Sequence, residues 1–408
     1  MAGDVVTAAA DPRAVAAAAQ RIAGGVVRTP AVSSSALAQR LGVASLVLKL
    51  ETLQRTGSFK ERGALNRLLL LSEEERRRGV ITLSAGNHAQ GVAYHAARLG
   101  IPATVVMPRH TPNAKVARTR AHGAEVVLAG ETLVEAAAEV RRLETERGLV
   151  LVHPYDDAAV IAGQGTATAE LLDDHPDLDA LIVPVGGGGL IAGAALAAQG
   201  RPNSPRLIGV EVEGWTACAQ RLAGEPVRVG GTTIAEGIAV RDIGEAPFAI
   251  IREHVERVLV VPETAIETAI GLLIEDAKLV AEGAGAAGIA AVLAHAPLFA
   301  GLRVGTILCG ANLDARILAN VLLRNLVRDG RLLRVSLDIP DRPGVLADIA
   351  GRIARAGGNI IEVEHQRLFA APSVRAAELD LLIEARDGAH GQEILDALEG
   401  AALAVRRL

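Results

Sequence analysis

Short apolar runs that alternate with helical stretches constrain this chain more than any other feature. From Gly79 the run Val80–Leu83 reads as a strand, passes through Ser84-Ala85-Gly86-Asn87-His88, and leads into a helix that stops at Gly100. The strand Ala103–Met107, a helix opening near Thr111-Pro112 and the strand Glu125–Leu128 repeat the unit. It returns with strands predicted at residues 181–185, 208–212 and 304–309, the first joined by four glycines to a helix over 190–198. Strands that are apolar along their whole length are covered on both faces, which requires parallel sheets flanked by helices. Half of the residues are hydrophobic and only 2% aromatic, so the core must be built from Ala, Val, Leu and Ile.

After Asp329-Gly330 the pattern changes. Leu333, Val335, Leu337 and Ile339 alternate with polar residues, as in a half-buried strand. Asp341-Arg342-Pro343-Gly344 reads as a turn, and Val345, Leu346, Ile349 and Ile353 share one helix face that ends at Gly357-Gly358-Asn359. Strands over 360–363 and 379–383, a helix over 394–398 and a strand over 403–405 complete a βαββαβ order. The predicted fold class is therefore α/β, followed by a ferredoxin-like domain at residues 331–408.

Several function classes are excluded. The net charge is −5 with both signs mixed along the chain, which argues against a nucleic-acid partner. Arg76-Arg77-Arg78 directly follows Glu73-Glu74-Glu75 and reads as a solvated helix face. Every long apolar run is broken by charge or glycine, so no membrane span is expected. Asp4 and Asp11 make the N-terminus a poor signal peptide, and Cys218 and Cys309 lack metal-ligand spacing. A cytoplasmic protein without a disulfide framework is expected.

Three segments are able to carry chemistry. Lys60 is one of four lysines and lies in Ser58-Phe59-Lys60-Glu61-Arg62-Gly63-Ala64. A lysine forms Schiff bases with carbonyl cofactors and, when neutral, accepts protons; the competing reading is a solvated helix start. Gly186, Gly187, Gly188 and Gly189 lie between a strand and a helix, where turned backbone N–H groups favour a phosphate dianion. One or two glycines suffice for a turn, and neither the dinucleotide fingerprint nor the P-loop lysine is present. The third segment, Ser84 to His88, follows a strand and offers hydroxyl, amide, imidazole and backbone donors to a carboxylate; its plain alternative is a helix cap. Cys309 alone reads as a small buried residue, and Glu282 as a cap or turn.

Together these segments resemble fold-type II pyridoxal-phosphate enzymes, and among them the threonine dehydratases (threonine ammonia-lyases). The carrying motifs are Thr56-Gly57-Ser58-Phe59-Lys60-Glu61-Arg62-Gly63-Ala64, Ser84-Ala85-Gly86-Asn87-His88-Ala89-Gln90-Gly91, the glycines 186–189, Glu282-Gly283-Ala284-Gly285 and Cys309-Gly310-Ala311-Asn312. The resemblance spans roughly residues 25–325. It implies a large cofactor-binding subdomain at 1–70 and 153–328, a small mobile subdomain at 71–152, and pyridoxal 5′-phosphate as cofactor. Lys60 would be the catalytic residue and bind the cofactor covalently. Phe59 would pack near its ring, Asn87 would bind the ring hydroxyl, and Gly186, Gly187, Gly188 and Gly189 would bind its phosphate. Cys309 would sit beside the ring nitrogen, with Glu282 nearby. Ser84, Ala85, Gly86, Asn87 and His88 would receive the substrate carboxylate.

The implied reaction is β-elimination from L-threonine to 2-oxobutanoate and ammonia, with L-serine as a slower substrate. Related serine racemases carry a second serine where this chain has Ala85, so little racemase activity is expected. Their divalent site aligns with Glu211, but Ala217 stands where a second carboxylate is needed, so no divalent metal site is expected and a monovalent ion is left open. The C-terminal segment resembles an ACT domain, which implies an amino-acid effector at Asp341, Arg342, Pro343, Gly344 and Asn359, and a homo-oligomer (dimer or tetramer). The alternatives are a serine-preferring dehydratase, another lyase or synthase of this fold, or a catalytically silent amino-acid-binding protein.

Overall fold

The computed structural model describes residues 11–367, 375–399 and 404–407, which divide into two compact units, 1–314 and 315–408. Among the described residues the first unit holds ten strands: β1 Ala31–Ser33, β2 Ser45–Lys49, β3 Val80–Leu83, β4 Ala103–Met107, β5 Glu125–Leu128, β6 Val150–Leu151, β7 Ala180–Pro184, β8 Arg206–Val212, β9 Arg257–Val261 and β10 Arg303–Ile307. They form a six-stranded sheet in the order β1-β2-β10-β7-β8-β9 and a four-stranded sheet in the order β5-β4-β3-β6. All pairs are parallel except β1 with β2. Every residue of β4 and of β7 is buried, as continuous apolar strands require. The chain supplies β1 and β2, leaves to build the four-stranded sheet from residues 80–151, and returns to complete the larger one.

The helices that matter for the site are α1 Lys60–Leu69, α2 Asn87–Arg98, α3 Ala158–Asp174, α4 Gly189–Ala198, α5 Glu245–His254 and α6 Gly283–Ala294. α3 packs between α1 and α4 at backbone distance. A Cβ on Gly163 would lie 2.6 Å from the Gly63 Cα, and one on Gly165 would lie 2.5 Å from the Gly193 carbonyl. Small residues here let three helices approach closely. A buried ion cluster fixes the same contact. Arg62 on α1 donates to Glu51 at 2.7 and 2.8 Å and to Glu170 of α3 at 2.7 and 2.9 Å, while Lys49 donates to Glu170 at 2.6 Å. Such a cluster is a weak source of net stability but a strong penalty on rearrangement, because each charge left alone stays in low dielectric. The run Glu73–Arg78 is the solvated helix that its charges foretell: none of its residues is buried, and Ser72 and Glu75 close a capping box.

The second unit opens with α7 Ala315–Arg328 and continues as β11 Leu332–Pro340, α8 Val345–Ala356, β12 Asn359–Gln366, β13 Ala376–Glu384, α9 Gly388–Leu398 and β14 Ala404–Arg407. This is the expected βαββαβ order, with an antiparallel sheet ordered β12-β13-β11-β14. Leu333, Val335, Leu337 and Ile339 of β11 pack with Ile349, Ile353, Ile394 and Leu398 of the two helices in one core. The expected start of the last strand, Leu403, lies outside the described residues, and Ala404–Arg407 is strand.

Candidate active site

Lys60 opens α1, and the backbone before it is laid along the end of β10. The Phe59 N–H donates to the Cys309 carbonyl at 3.0 Å, and Ser58 forms an antiparallel bridge with Gly310. The Lys60 Nζ donates to the Pro154 carbonyl at 2.6 Å and lies 5.2 Å from the centre of the Phe59 ring. Burial pulls its pKa down to about 8, against the opposing pull of Cys309 and Glu282. An amine in that range is neutral often enough near pH 7 to act as nucleophile or base.

One loop ties this amine to the glycine turn. Pro154 holds Lys60, and the next residue, Tyr155, lies against the glycines: a Cβ on Gly187 would fall 2.2 Å from its ring, and one on Gly189 would meet its backbone at 3.0 Å. Gly188 is left-handed at φ 89° and caps α4, whose first internal hydrogen bond runs from the Ala192 N–H to the Gly188 carbonyl. The N–H groups before Ala192 are thus presented at a helix start. Gly186 is pressed by the Gly237 carbonyl, 3.0 Å from where its Cβ would stand. All four positions exclude side chains, more than a simple strand-to-helix turn demands.

Asn87 opens α2, directly after the Ser84 loop. Its Nδ2 donates to Glu282 at 2.8 Å and its Oδ1 accepts from Asn312 Nδ2 at 2.6 Å. Burial raises Glu282 to a pKa of about 7, with the Asn87 hydrogen bond opposing. Cys309 lies at the same end of β10, and burial holds its thiol well above the ordinary range, so it stays protonated. Ser84 Oγ accepts the Gly86 N–H at 3.2 Å, and Ala85 packs on the core of the four-stranded sheet. The His88 ring points the other way: Nε2 meets the Val152 carbonyl at 3.0 Å, and burial depresses its pKa to about 3. Its backbone N–H in the first turn of α2, rather than its imidazole, is what the segment offers to an anion.

Phe59, Lys60, Glu282, Asn87 and Cys309 therefore converge around the ends of β10, α1 and α2. The Ser84 loop adjoins them through Asn87, and the glycines through the Pro154-Tyr155 step. Glu211 does not join them. Its carboxylate accepts the N–H groups of Cys218 at 2.7 Å and Ala219 at 2.9 Å. Sequence reasoning missed the roles of Pro154, Tyr155 and Asn312. Asn312 was visible only as the end of a motif, and the 153–157 run carried only the signal of a turn before a helix. In the second unit, Asp341 pairs with Arg367 at 3.1 Å, Gly344 at φ 91° caps α8, and Asn359 donates to Glu384 at 3.1 Å. Asp341, Arg342, Pro343 and Gly344 precede α8 and Asn359 follows it, so about 18 Å of helix separates them within one chain.

A phosphorylated aldehyde suits the first set. The glycine turn brings backbone N–H groups without side chains to the start of α4, the Lys60 amine is partly neutral, and the buried Ser58 Oγ has no protein partner. Comparison with known proteins agrees. Residues 22–310 match the family model "Pyridoxal-phosphate dependent enzyme", and residues 333–402 match the ACT domain model. The L-threonine ammonia-lyase of Thermotoga maritima is 42% identical over 92% of this chain and 94% of its own length. The maize serine racemase structure, 36% identical, covers 78% of this chain and 99% of that one with a TM-score of 0.73. Threonine deaminase isoform 2 of Solanum lycopersicum, also 36% identical, covers 76% and 86% with a TM-score of 0.71. With Lys60 and the glycine turn inside the matched span, the chain belongs to the pyridoxal-phosphate-dependent enzymes and carries an ACT domain behind the catalytic fold.

Proposed function

We propose that the chain deaminates L-threonine to 2-oxobutanoate and ammonia, with L-serine to pyruvate as a slower reaction, under control of an amino acid at the ACT domain. The observation that carries this reading is the Lys60 amine, buried, lowered to a pKa of about 8 and linked through Pro154-Tyr155 to the glycine turn. The Thermotoga maritima relative, named L-threonine ammonia-lyase, supports the choice of substrate.

Pyridoxal phosphate, when bound, supplies the electron sink that makes the α-proton of an amino acid removable. Lys60 would bind its aldehyde, glycines 186–189 its phosphate and Asn87 its ring hydroxyl, with Phe59 against the ring and Glu282 nearby. The neutral Cys309 thiol would face the ring nitrogen and leave it without a charged partner. In the reaction Lys60 takes the α-proton. Ser84 and the backbone N–H groups from Ala85 to His88, which lead into α2, orient the carboxylate. The β-hydroxyl takes up a proton, equivalent to the one Lys60 removed, and leaves as water; hydrolysis of the released product yields the keto acid and ammonia. Ala85 offers no group that can return a proton from the opposite side, which supports elimination over racemisation.

The effector residues lie at opposite ends of α8, so one ligand touching both sets requires a second copy of the chain. A homo-oligomer is therefore part of the proposal. So is a cytoplasmic setting, supported by two free buried cysteines. Among the described residues no helix is long and apolar enough to cross a membrane. The reading is tested by a keto-acid assay with threonine and serine, with and without branched-chain amino acids. Lys60→Ala is expected to lower turnover by at least about a thousandfold. Full activity in that variant would refute the assignment. Serine turning over faster than threonine would favour the serine-preferring reading, since one methyl is resolved only weakly by a pocket.

A further inference from the structure

Three consecutive residues, Pro154, Tyr155 and Asp156, each touch a different part of the site. Pro154 receives the Lys60 amine at 2.6 Å, and Tyr155 lies on Gly187 and Gly189. Asp156 accepts the N–H groups of Glu245 at 3.2 Å and Ala246 at 3.0 Å, which start α5, while the Gly244 N–H donates to the Gly187 carbonyl at 3.1 Å. The loop is held from its first residue. His153 Nδ1 accepts the Asp156 N–H at 2.8 Å and the Tyr155 N–H at 3.4 Å, and its ring meets the Tyr155 ring edge-on with centroids 4.7 Å apart. A ring nitrogen can accept these bonds only while it carries no proton.

We propose that His153 is a positioning residue of the catalytic centre, whose unprotonated Nδ1 fixes the 154–156 loop and so sets both the resting place of the Lys60 amine and the wall of the glycine turn. This rests on the proposed role of Lys60 and deepens it: the Pro154 carbonyl aims the lysine directly, and His153 acts on it only through the loop. The groups that face His153 are Lys60 from α1, His88 from α2, and Tyr155, Asp156 and Asp157 from its own loop. Burial holds its pKa below the ordinary imidazole value, with Asp156 opposing. The sign follows. A base depressed in the folded state keeps its contribution above the ordinary value near 6.5 and loses it as pH falls through the lower folded value. The loop is held at neutral pH and freed by acid.

The test compares His153→Asn, whose Oδ1 accepts the same two N–H groups at any pH, with His153→Ala, which accepts none. On the cofactor-loaded full chain, hydrogen–deuterium exchange of Tyr155 and Asp156 should quicken by about tenfold or more in His153→Ala, as expected for a lost backbone hydrogen bond. kcat should fall by a similar factor with KM within about threefold, and His153→Asn should restore both. On acidification the wild type should lose protection at these amides while His153→Asn keeps it. Wild-type exchange and kcat in His153→Ala, failure of Asn to rescue, or parallel loss of protection in wild type and His153→Asn would each overturn the proposal. The exchange measurement needs no turnover, so its failure is read separately from failure of the proposed reaction.

Discussion

At the residue scale, a lysine is a useful base only where its surroundings disfavour the ammonium. Burial does this for Lys60 and brings its pKa to about 8. Lowered by burial, the neutral fraction grows as pH rises through that value instead of through the ordinary value near 10.4. Capture of pyridoxal phosphate by the cofactor-free chain should accelerate across pH 7 to 9 and then level, followed by the cofactor's absorbance. A rate still climbing steeply above about pH 10 would mean an ordinary solvated lysine. The lysine tract and the glycines were legible because their residue types are costly elsewhere: four adjacent glycines weaken any fold that does not need them. The direction of the His88 ring was not legible. Sequence places it in the anion-binding segment, but only the tertiary fold brings the Val152 carbonyl, just after β6, to its imidazole.

At the element scale, α1 must hold Lys60 still, and it is clamped by Arg62 rather than by apolar packing alone. Arg62→Met would leave Glu51 and Glu170 without their shared partner, in a region where Arg62 and Glu51 are fully buried. Unfolding free energy should drop by about 3–5 kcal/mol in denaturant titration, the usual result of breaking a buried pair on one side. A drop below about 1 kcal/mol would show the cluster to be solvated in practice. The strands β3, β4 and β5 were legible to the residue, since short apolar runs between glycines and prolines admit few other readings. α6 was not. Its sequence, Gly283–Ala294, is glycine and alanine with few larger residues, and ten of its positions are buried, so no polar face marks the helical period. The glycines that weaken its propensity are the ones that let β10 approach, as at Gly288, where a Cβ would meet the Thr306 hydroxyl at 1.9 Å.

At the scale of the whole molecule, the chain divides into two units with the break at Asp314-Ala315, and the proposal gives catalysis to the first and sensing to the second. The change in hydrophobic period places the boundary near residue 330, because periodicity marks where β11 begins and says nothing of α7. α7 packs with β11 and belongs to the second unit. A chain ending at Asp314 should therefore keep threonine elimination and lose its response to branched-chain amino acids. One ending at 330 should aggregate more, since it keeps α7 without β11, the strand it packs with. An effector response surviving in the shorter chain would place the regulatory site in the catalytic unit.

The central claim is that one of four lysines, Lys60, carries the cofactor. Borohydride reduction of the loaded chain followed by peptide mapping tests it most directly. The account predicts a single modified peptide with the added mass on Lys60; mass on Lys49, Lys115 or Lys278, or on none, would contradict it.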